Sequence, residues 1–296
     1  MRIDGREIGP GNAPWVCAEI SGEHKGDFAR CLDLIRAAKD AGADSVKLQC
    51  FDPERLAEAR GGRDKVLTEG LWAGRSLIDL YRETHTPRAF ISEAIEWGKH
   101  WGITVFSSVF DEEGVDYLDG LGCPALKIAS FELTDIALIR KAASTGKPVI
   151  LSSGMAIEED IRAALAQFLF PEEPSTIRVR ECGLLHCVSA YPCSVEDAQL
   201  DRMKAMLAAR PHLPIGLSDH TLGSIAPVVA TALGASIIEK HITLDRKNGG
   251  PDAPFSLEPH EFAKMVQDVK DAYASLGTGE RPASEEIYRG LRRTSA

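Results

Sequence analysis

Short apolar runs alternate with longer amphipathic stretches along almost all of this 296-residue chain. The first run is Trp15-Val16-Cys17-Ala18-Glu19. A helix follows, with Asp27 as its N-cap and Cys31, Leu32, Leu34, Ile35 and Ala38 at helical spacing; Gly42 ends it. Ser45-Val46-Lys47-Leu48-Gln49 reads as a second strand. Further strands are predicted at Ile103–Ser107, Ala125–Ala129, Val149–Ser152, Leu184–Cys187, Ile215–Ser218 and Ser236–His241. Helices are predicted from Pro87 to about His100, near 112–120, 134–145, 157–168, 196–209 and 222–233, and from Pro259 to Leu276. The last has a weak capping signal, although Pro259 suits its first turn.

Eight strand-helix units in strict alternation imply parallel pairing and closure, so the expected fold is α/β, a (β/α)₈ or TIM barrel, over residues 1–276. The rival is a doubly wound open sheet, but no Gly-x-Gly-x-x-Gly turn follows the first strand. One connection, 51–86, is too long for a plain loop; it contains Gly61-Gly62 and an apolar piece from Leu71 to Tyr81. Such a segment is functional or carries its own small element. Residues 277–296 are polar and basic (Arg281, Arg289, Arg292, Arg293) and read as a linker or exposed tail.

The strand ends change the picture from fold to chemistry. Nearly every strand ends polar: Glu19, Lys47 with Gln49, Ser107-Ser108, Lys127 with Ser130, Ser152-Ser153, Ser189, Ser218 with His220, and Glu239 with His241. A barrel converges these ends on one face, where active sites sit. Buried polar groups need partners, so this many favour an active site over a polar plug.

His220 and His241 would end neighbouring strands, and two neutral imidazoles suit a divalent metal. The twenty residues between them are no ligand signature, so two histidines bonded separately to loop backbone remain the alternative. His24 and His186 are weaker candidates, and His186 is expected to pack in the core. Lys47 and Lys127 with the serine hydroxyls could hold a phosphate and a carboxylate. A Schiff-base lysine is the other reading. Glu19 and Glu239 become neighbours on closure and could move protons or pair with the lysines. Gly249-Gly250-Pro251-Asp252 is a turn whose Asp252 caps it or reaches the site. Trp72, Trp97 and Trp101 are expected in or around helices, and Cys187 as a small core residue.

A net charge of -10 excludes a nucleic-acid surface. No run has the length of a membrane span, and the first residues do not read as a signal peptide. Seven cysteines without a Cys-x-x-Cys pair point to reduced thiols and a cytoplasmic protein.

Ala18-Glu19-Ile20 with His24 and Gly26, Val46-Lys47-Leu48-Gln49, Lys127-Ile128-Ala129-Ser130, Ser152-Ser153-Gly154-Met155, Gly216-Leu217-Ser218-Asp219-His220-Thr221 and Glu239-Lys240-His241 resemble the N-acetylneuraminate synthase family, in order from about residue 12 to 290. Phe106-Ser107-Ser108, Leu71-Trp72 with Gly74-Arg75, Thr84-His85-Thr86-Pro87, Ser189-Ala190-Tyr191-Pro192 and Gly249-Gly250-Pro251-Asp252 resemble its pseudaminic acid synthase branch. The resemblance implies a barrel that joins phosphoenolpyruvate to a sugar aldehyde with loss of phosphate. It implies a divalent metal, typically Mn²⁺ with Mg²⁺ or Co²⁺ as substitutes, on His220 and His241. Lys47, Lys127, Ser130, Ser152 and Ser218 would hold phosphoenolpyruvate. Gln49, Tyr191, Glu239 and Asp252 would face phosphate, sugar or metal-bound water. Ser108 and Ser189 join the substrate set, and Glu19 would position or activate water.

Two departures set further expectations. Glu23 stands where the family usually has Asn, adding a negative charge near the strand-one loop and changing what the sugar is expected to meet there. Family members usually continue into a C-terminal antifreeze-like domain, which in a domain-swapped dimer supplies an arginine to the partner's sugar site; this chain stops near Arg292-Arg293. The expectation is a homodimer with a more open sugar site. Condensation on a non-acylated sugar and a catalytically silent binding barrel are the alternative functions.

Overall fold

Strands that are buried on both faces can be apolar throughout except where they reach an opening, and this chain follows that rule. The computed structural model describes residues 1–169, 181–280 and 283–291; Arg281, Arg292 and Arg293 of the tail lie outside them. Eight parallel strands close into a barrel: β1 Trp15–Glu19, β2 Ser45–Cys50, β3 Thr104–Val109, β4 Leu126–Ile128, β5 Val149–Ser152, β6 Cys182–Cys187, β7 Ile215–Asp219 and β8 Ile237–His241. They pair in chain order, and β8 returns to β1. A short antiparallel ribbon, Arg2–Ile3 with Arg6–Glu7, precedes the barrel. The strand register puts the chemistry at one level: Glu19 lies opposite both His241 and Lys47, Glu239 opposite Ser218, and Ser108 opposite both Gln49 and Lys127.

Ten helices accompany the strands among the described residues: α1 Phe28–Asp40, α2 Pro53–Ala59, α3 Leu77–Thr84, α4 Arg88–Trp101, α5 Glu112–Gly120, α6 Ile136–Ser144, α7 Glu158–Ala166, α8 Leu200–Ala209, α9 Ile225–Leu233 and α10 Pro259–Leu276. Asp27 caps α1 as predicted, accepting from the amides of Ala29 and Arg30. The cap of α10 is stronger than its sequence indicates: the Glu258 amide donates to the Glu261 carboxylate (2.9 Å). The helix expected over 196–209 is interrupted, because Gln199 adopts φ 45° between a 3₁₀ turn (Glu196–Ala198) and α8. Several other ends shift by one to three residues, the usual latitude of helix and strand termini.

The long segment after β2 does carry its own structure. α2 and α3 are capped by Asp52 and Ser76, and an antiparallel bridge pairs Val66 with Ser76 between them. Trp72, in this segment, departs from the expectation of helix packing: its indole N–H donates to the Pro251 carbonyl (3.1 Å) across the barrel mouth. Trp97 and Trp101 do lie on α4. In the tail, Ala283–Leu291 form a 3₁₀ helix with Tyr288 and Leu291 exposed.

Candidate active site

The C-terminal mouth of the barrel encloses a cavity of about 630 Å³, a size that accommodates small-molecule ligands. All fourteen residues singled out from the sequence line it: Glu19, Lys47, Gln49, Ser108, Lys127, Ser130, Ser152, Ser189, Tyr191, Ser218, His220, Glu239, His241 and Asp252.

At its floor four buried side chains alternate in charge. Lys47 Nζ is 2.8 Å from Glu19 Oε2 and 2.7 Å from Glu239 Oε1. Lys127 Nζ donates to both Glu239 oxygens, at 3.0 and 3.1 Å, and Ser218 Oγ adds a third donor at 2.9 Å. Burial opposes charge on all four groups, but the inner pair has two opposite neighbours each. Burial alone would raise Glu239, yet the ammonium groups of Lys127 and Lys47 hold it well below the usual carboxylate range. Burial alone would lower Lys47, yet Glu19 and Glu239 hold it above the usual lysine value. The outer members have one opposite charge each, and there burial wins: Glu19 is pushed up and Lys127 down. The quartet as a whole is neutral.

One wall carries hydroxyls. Ser130 and Ser189 share a hydrogen bond (2.8 Å), and the buried Ser152 hydroxyl, like that of Ser153 next to it in sequence, has no partner among the described residues. Gly154 makes this approach possible, because a Cβ there would lie 2.4 Å from Ser130 Cβ, and its φ is +48°. Gln49 Nε2 donates to Ser21 Oγ (3.2 Å), and the Ser21 amide donates to Glu19 (2.6 Å), which fixes that carboxylate.

The opposite wall holds the imidazoles. The His220 and His241 ring centres are 5.6 Å apart. His220 Nδ1–H donates to the Val188 carbonyl (2.8 Å), which leaves the Nε2 lone pair free. His241 Nδ1 is buried without a hydrogen bond, 3.6 Å from Asp252 Oδ2. Burial lowers His220 to about 4 and His241 well below its usual value, so both are neutral at pH 7. Burial pushes Asp252 up to about 7. Among the described residues no cluster of three or more His, Cys, Asp and Glu forms a metal cage. The neutral donor pair, with an orphaned ring nitrogen, nonetheless fits a divalent ion that keeps open positions for solvent or substrate.

Aromatic rings build the roof. Tyr191 lies 4.3 Å from the His220 ring, 5.5 Å from Trp72 and 5.6 Å from Phe255. Neither Trp72 nor Phe255 was expected here; long-range contacts across the mouth leave no local sequence signal. Leu56, Leu67, Leu71, Leu77 and Leu80 of the α2–α3 segment make the outer part of the cavity apolar.

Three expectations need correction. Glu23 does not meet the cavity: its carboxylate is buried under the 249–252 turn, accepting from Thr243 Oγ1 (2.5 Å) and the Gly250 amide (3.1 Å). It anchors the turn that carries Asp252. Cys187 is buried but lines the cavity rather than the core alone. His24 is no metal candidate, because its Nε2 bonds Thr86 Oγ1 (3.2 Å) and its Nδ1 accepts from the Gly26 amide (3.1 Å). His186 packs as expected, with Nε2 on the Ala198 carbonyl (2.8 Å).

His24 gives a pH prediction. Burial, aided by nearby His85, lowers it from 6.5 to about 4. Between those values the unfolded chain binds a proton that the folded one does not, so stability falls as pH drops from 6.5 toward 4. This one group accounts for a loss of about 3 kcal/mol. Urea melts at pH 7.5 and 4.5 should show a smaller acid loss for His24→Gln than for wild type; equal losses refute the assignment.

Comparison with known proteins agrees with this geometry. The NeuB family model matches residues 34–281. The chain is 37% identical over 275 residues to the pseudaminic acid synthase of Campylobacter jejuni, covering 93% of this chain and 78% of that protein. It is 34% identical to the N,N'-diacetyllegionaminic acid synthase of Legionella pneumophila over 285 residues, 95% of this chain and 79% of that protein. The crystal structure of N-acetylneuraminic acid (sialic acid) synthetase from Leptospira borgpetersenii, in complex with citrate, superposes with a TM-score of 0.85 at 33% identity, over 99% of this chain and 98% of that one. A family match that spans most of the barrel, and takes in seven of its eight strands, shows that the chain belongs to the NeuB family.

Proposed function

We propose that this chain condenses phosphoenolpyruvate with the open-chain aldehyde of an N-acyl amino sugar, giving a nonulosonic acid of the sialic or pseudaminic type and phosphate. The family match and the named synthases support the reaction, and the neutral Glu19–Lys47–Glu239–Lys127 quartet carries it at the level of residues. Carbon 3 of phosphoenolpyruvate attacks the aldehyde carbon, and the aldehyde oxygen takes a proton. Water adds to the electron-poor carbon 2 and gives up one proton; the carbon 2–oxygen bond to phosphate then breaks as the new hydroxyl loses its proton to the departing phosphate, leaving the 2-keto group.

Lys47 and Lys127 meet the substrate's carboxylate and phosphate, with hydroxyls from Ser130, Ser152, Ser189 and Ser218 filling the remaining positions. Glu19, with its pKa raised by burial, takes the proton of the added water. Asp252, 3.6 Å from His241, faces the sugar or metal-bound water. Gln49, Ser108 and Tyr191 face the sugar. His220 and His241 would hold a divalent cation, Mn²⁺ in this proposal with Mg²⁺ or Co²⁺ as substitutes, which would supply Lewis-acid polarisation of the aldehyde. A Schiff base is not part of the reading, because two lysines beside a pair of histidines suited to a metal favour binding of a doubly anionic substrate.

The test is phosphate release from phosphoenolpyruvate with Mn²⁺ and a panel of amino sugars. Release that depends on an N-acyl sugar supports the proposal; none with any sugar overturns it. Release with non-acylated sugars alone moves the substrate class.

The described residues contain no helix long and apolar enough to cross a membrane, and all seven cysteines are free and buried. Reduced thiols support a cytoplasmic location. We also propose a homodimer. Met155, Ile157, Val195 and Leu222 are exposed on the loops after β5, β6 and β7, and Ile225 on the first turn of α9, an apolar rim suited to a second copy. Light scattering at micromolar concentration should report a dimer; a monomer refutes it.

A further inference from the structure

We infer that Asp219 and Lys240, an ion pair buried outside the cavity, are positioning residues that set the separation of His220 and His241. The inference rests on the reading of those histidines as a metal pair. Strand alternation points Ser218 and Glu239 into the barrel and Asp219 and Lys240 out of it. The two are direct partners in the β7–β8 register. Lys240 is 0% and Asp219 2% exposed, and Lys240 Nζ lies 2.5 Å from Asp219 Oδ2.

The pair is tied to the residue just beyond His220. Lys240 Nζ also donates to the Thr221 carbonyl. Asp219 accepts from the Thr221 amide (3.0 Å) and hydroxyl (3.1 Å). The Cys193 amide donates to the His220 carbonyl (2.9 Å). His220 is therefore clamped on both sides, and the clamp reaches the residue before His241.

Stability does not explain this arrangement. Two charges lose their hydration when buried, and replacing such a pair with apolar side chains is commonly neutral or stabilising. The other outward positions on the barrel strands carry no Asp, Glu, Lys or Arg: Val16 and Ala18 on β1, Val46, Leu48 and Cys50 on β2, and Leu126 and Ile128 on β4 are typical, and His186 on β6 is bonded to the Ala198 carbonyl instead of to an opposite charge. The charged exception falls on the two strands that end in the imidazoles. A two-histidine site needs that exception, because metal–ligand distances tolerate only about 0.2 Å of error. An ion pair with four directed hydrogen bonds fixes strand ends more tightly than apolar contact does.

The experiment measures Mn²⁺ affinity by electron paramagnetic resonance and melting temperature by calorimetry, on wild type, His220→Ala, Asp219→Asn and the double variant Asp219→Leu/Lys240→Met. The double variant removes no net charge. The expected result is a melting temperature equal to or above wild type with Mn²⁺ binding at least tenfold weaker. Asp219→Asn keeps the shape but puts a donor NH₂ in place of one of the two accepting oxygens, so Lys240 loses its anion and part of the Thr221 contact is lost; it should bind Mn²⁺ more than threefold weaker, and wild-type affinity in this variant counts against the inference. If the double variant does not fold, affinity is read on Lys240→Arg, which keeps the pair but alters its reach; a loss beyond threefold supports the inference and wild-type affinity overturns it. A folded double variant with wild-type Mn²⁺ affinity overturns the inference alone. Wild-type protein that binds Mn²⁺ no better than His220→Ala overturns the histidine reading, and this inference with it.

Discussion

Glu239→Ala is expected to lower kcat by about a thousandfold, within the range for loss of a positioned carboxylate, while the KM for phosphoenolpyruvate stays level or falls. The split follows from the geometry. Glu239 accepts from Lys47, Lys127 and Ser218 in the ligand-free site, so it occupies the cations that the substrate needs. Its removal frees those cations to bind an anion and takes away the group that orients them during the reaction. Lys127→Ala should behave oppositely, raising KM and lowering kcat together, because it stabilises charge in both ground and transition states. Steady-state kinetics on folded variants decides the matter. A Glu239→Ala enzyme with intact kcat and a KM raised tenfold would reduce Glu239 to a substrate contact.

Chelation is expected to have the second large effect, with activity falling below about one per cent of wild type and returning with Mn²⁺. Two neutral imidazoles with no third protein ligand among the described residues bind reversibly, so dialysis against a chelator should empty the site. His220→Ala and His241→Ala should not recover on adding metal. Full activity in protein shown by elemental analysis to be metal-free would falsify the metal assignment.

Much of this was legible in the sequence because a parallel barrel turns order into position. Once eight strands are recognised, their polar ends must gather at one mouth, and all fourteen named residues do line one cavity. The parts that escaped depend on distance or on facing. Trp72 and Pro251 touch across 179 residues, and nothing near either one announces it. Asp219 and Lys240 stood in plain view within two motifs, but a linear string does not say which neighbour faces outward. Glu23 looked like a change in what the sugar meets; only the fold shows it turned beneath Gly250. The break at Gln199 escaped because a non-glycine residue there takes a left-handed backbone conformation that composition does not advertise.

The alternating quartet has a consequence for the resting enzyme in the cell. A mouth lined with two bare ammonium groups would be a sink for every small oxyanion nearby. Glu239 acts instead as a tethered decoy: it fills the cationic seats between turnovers and yields only to a guest with enough charge to displace it.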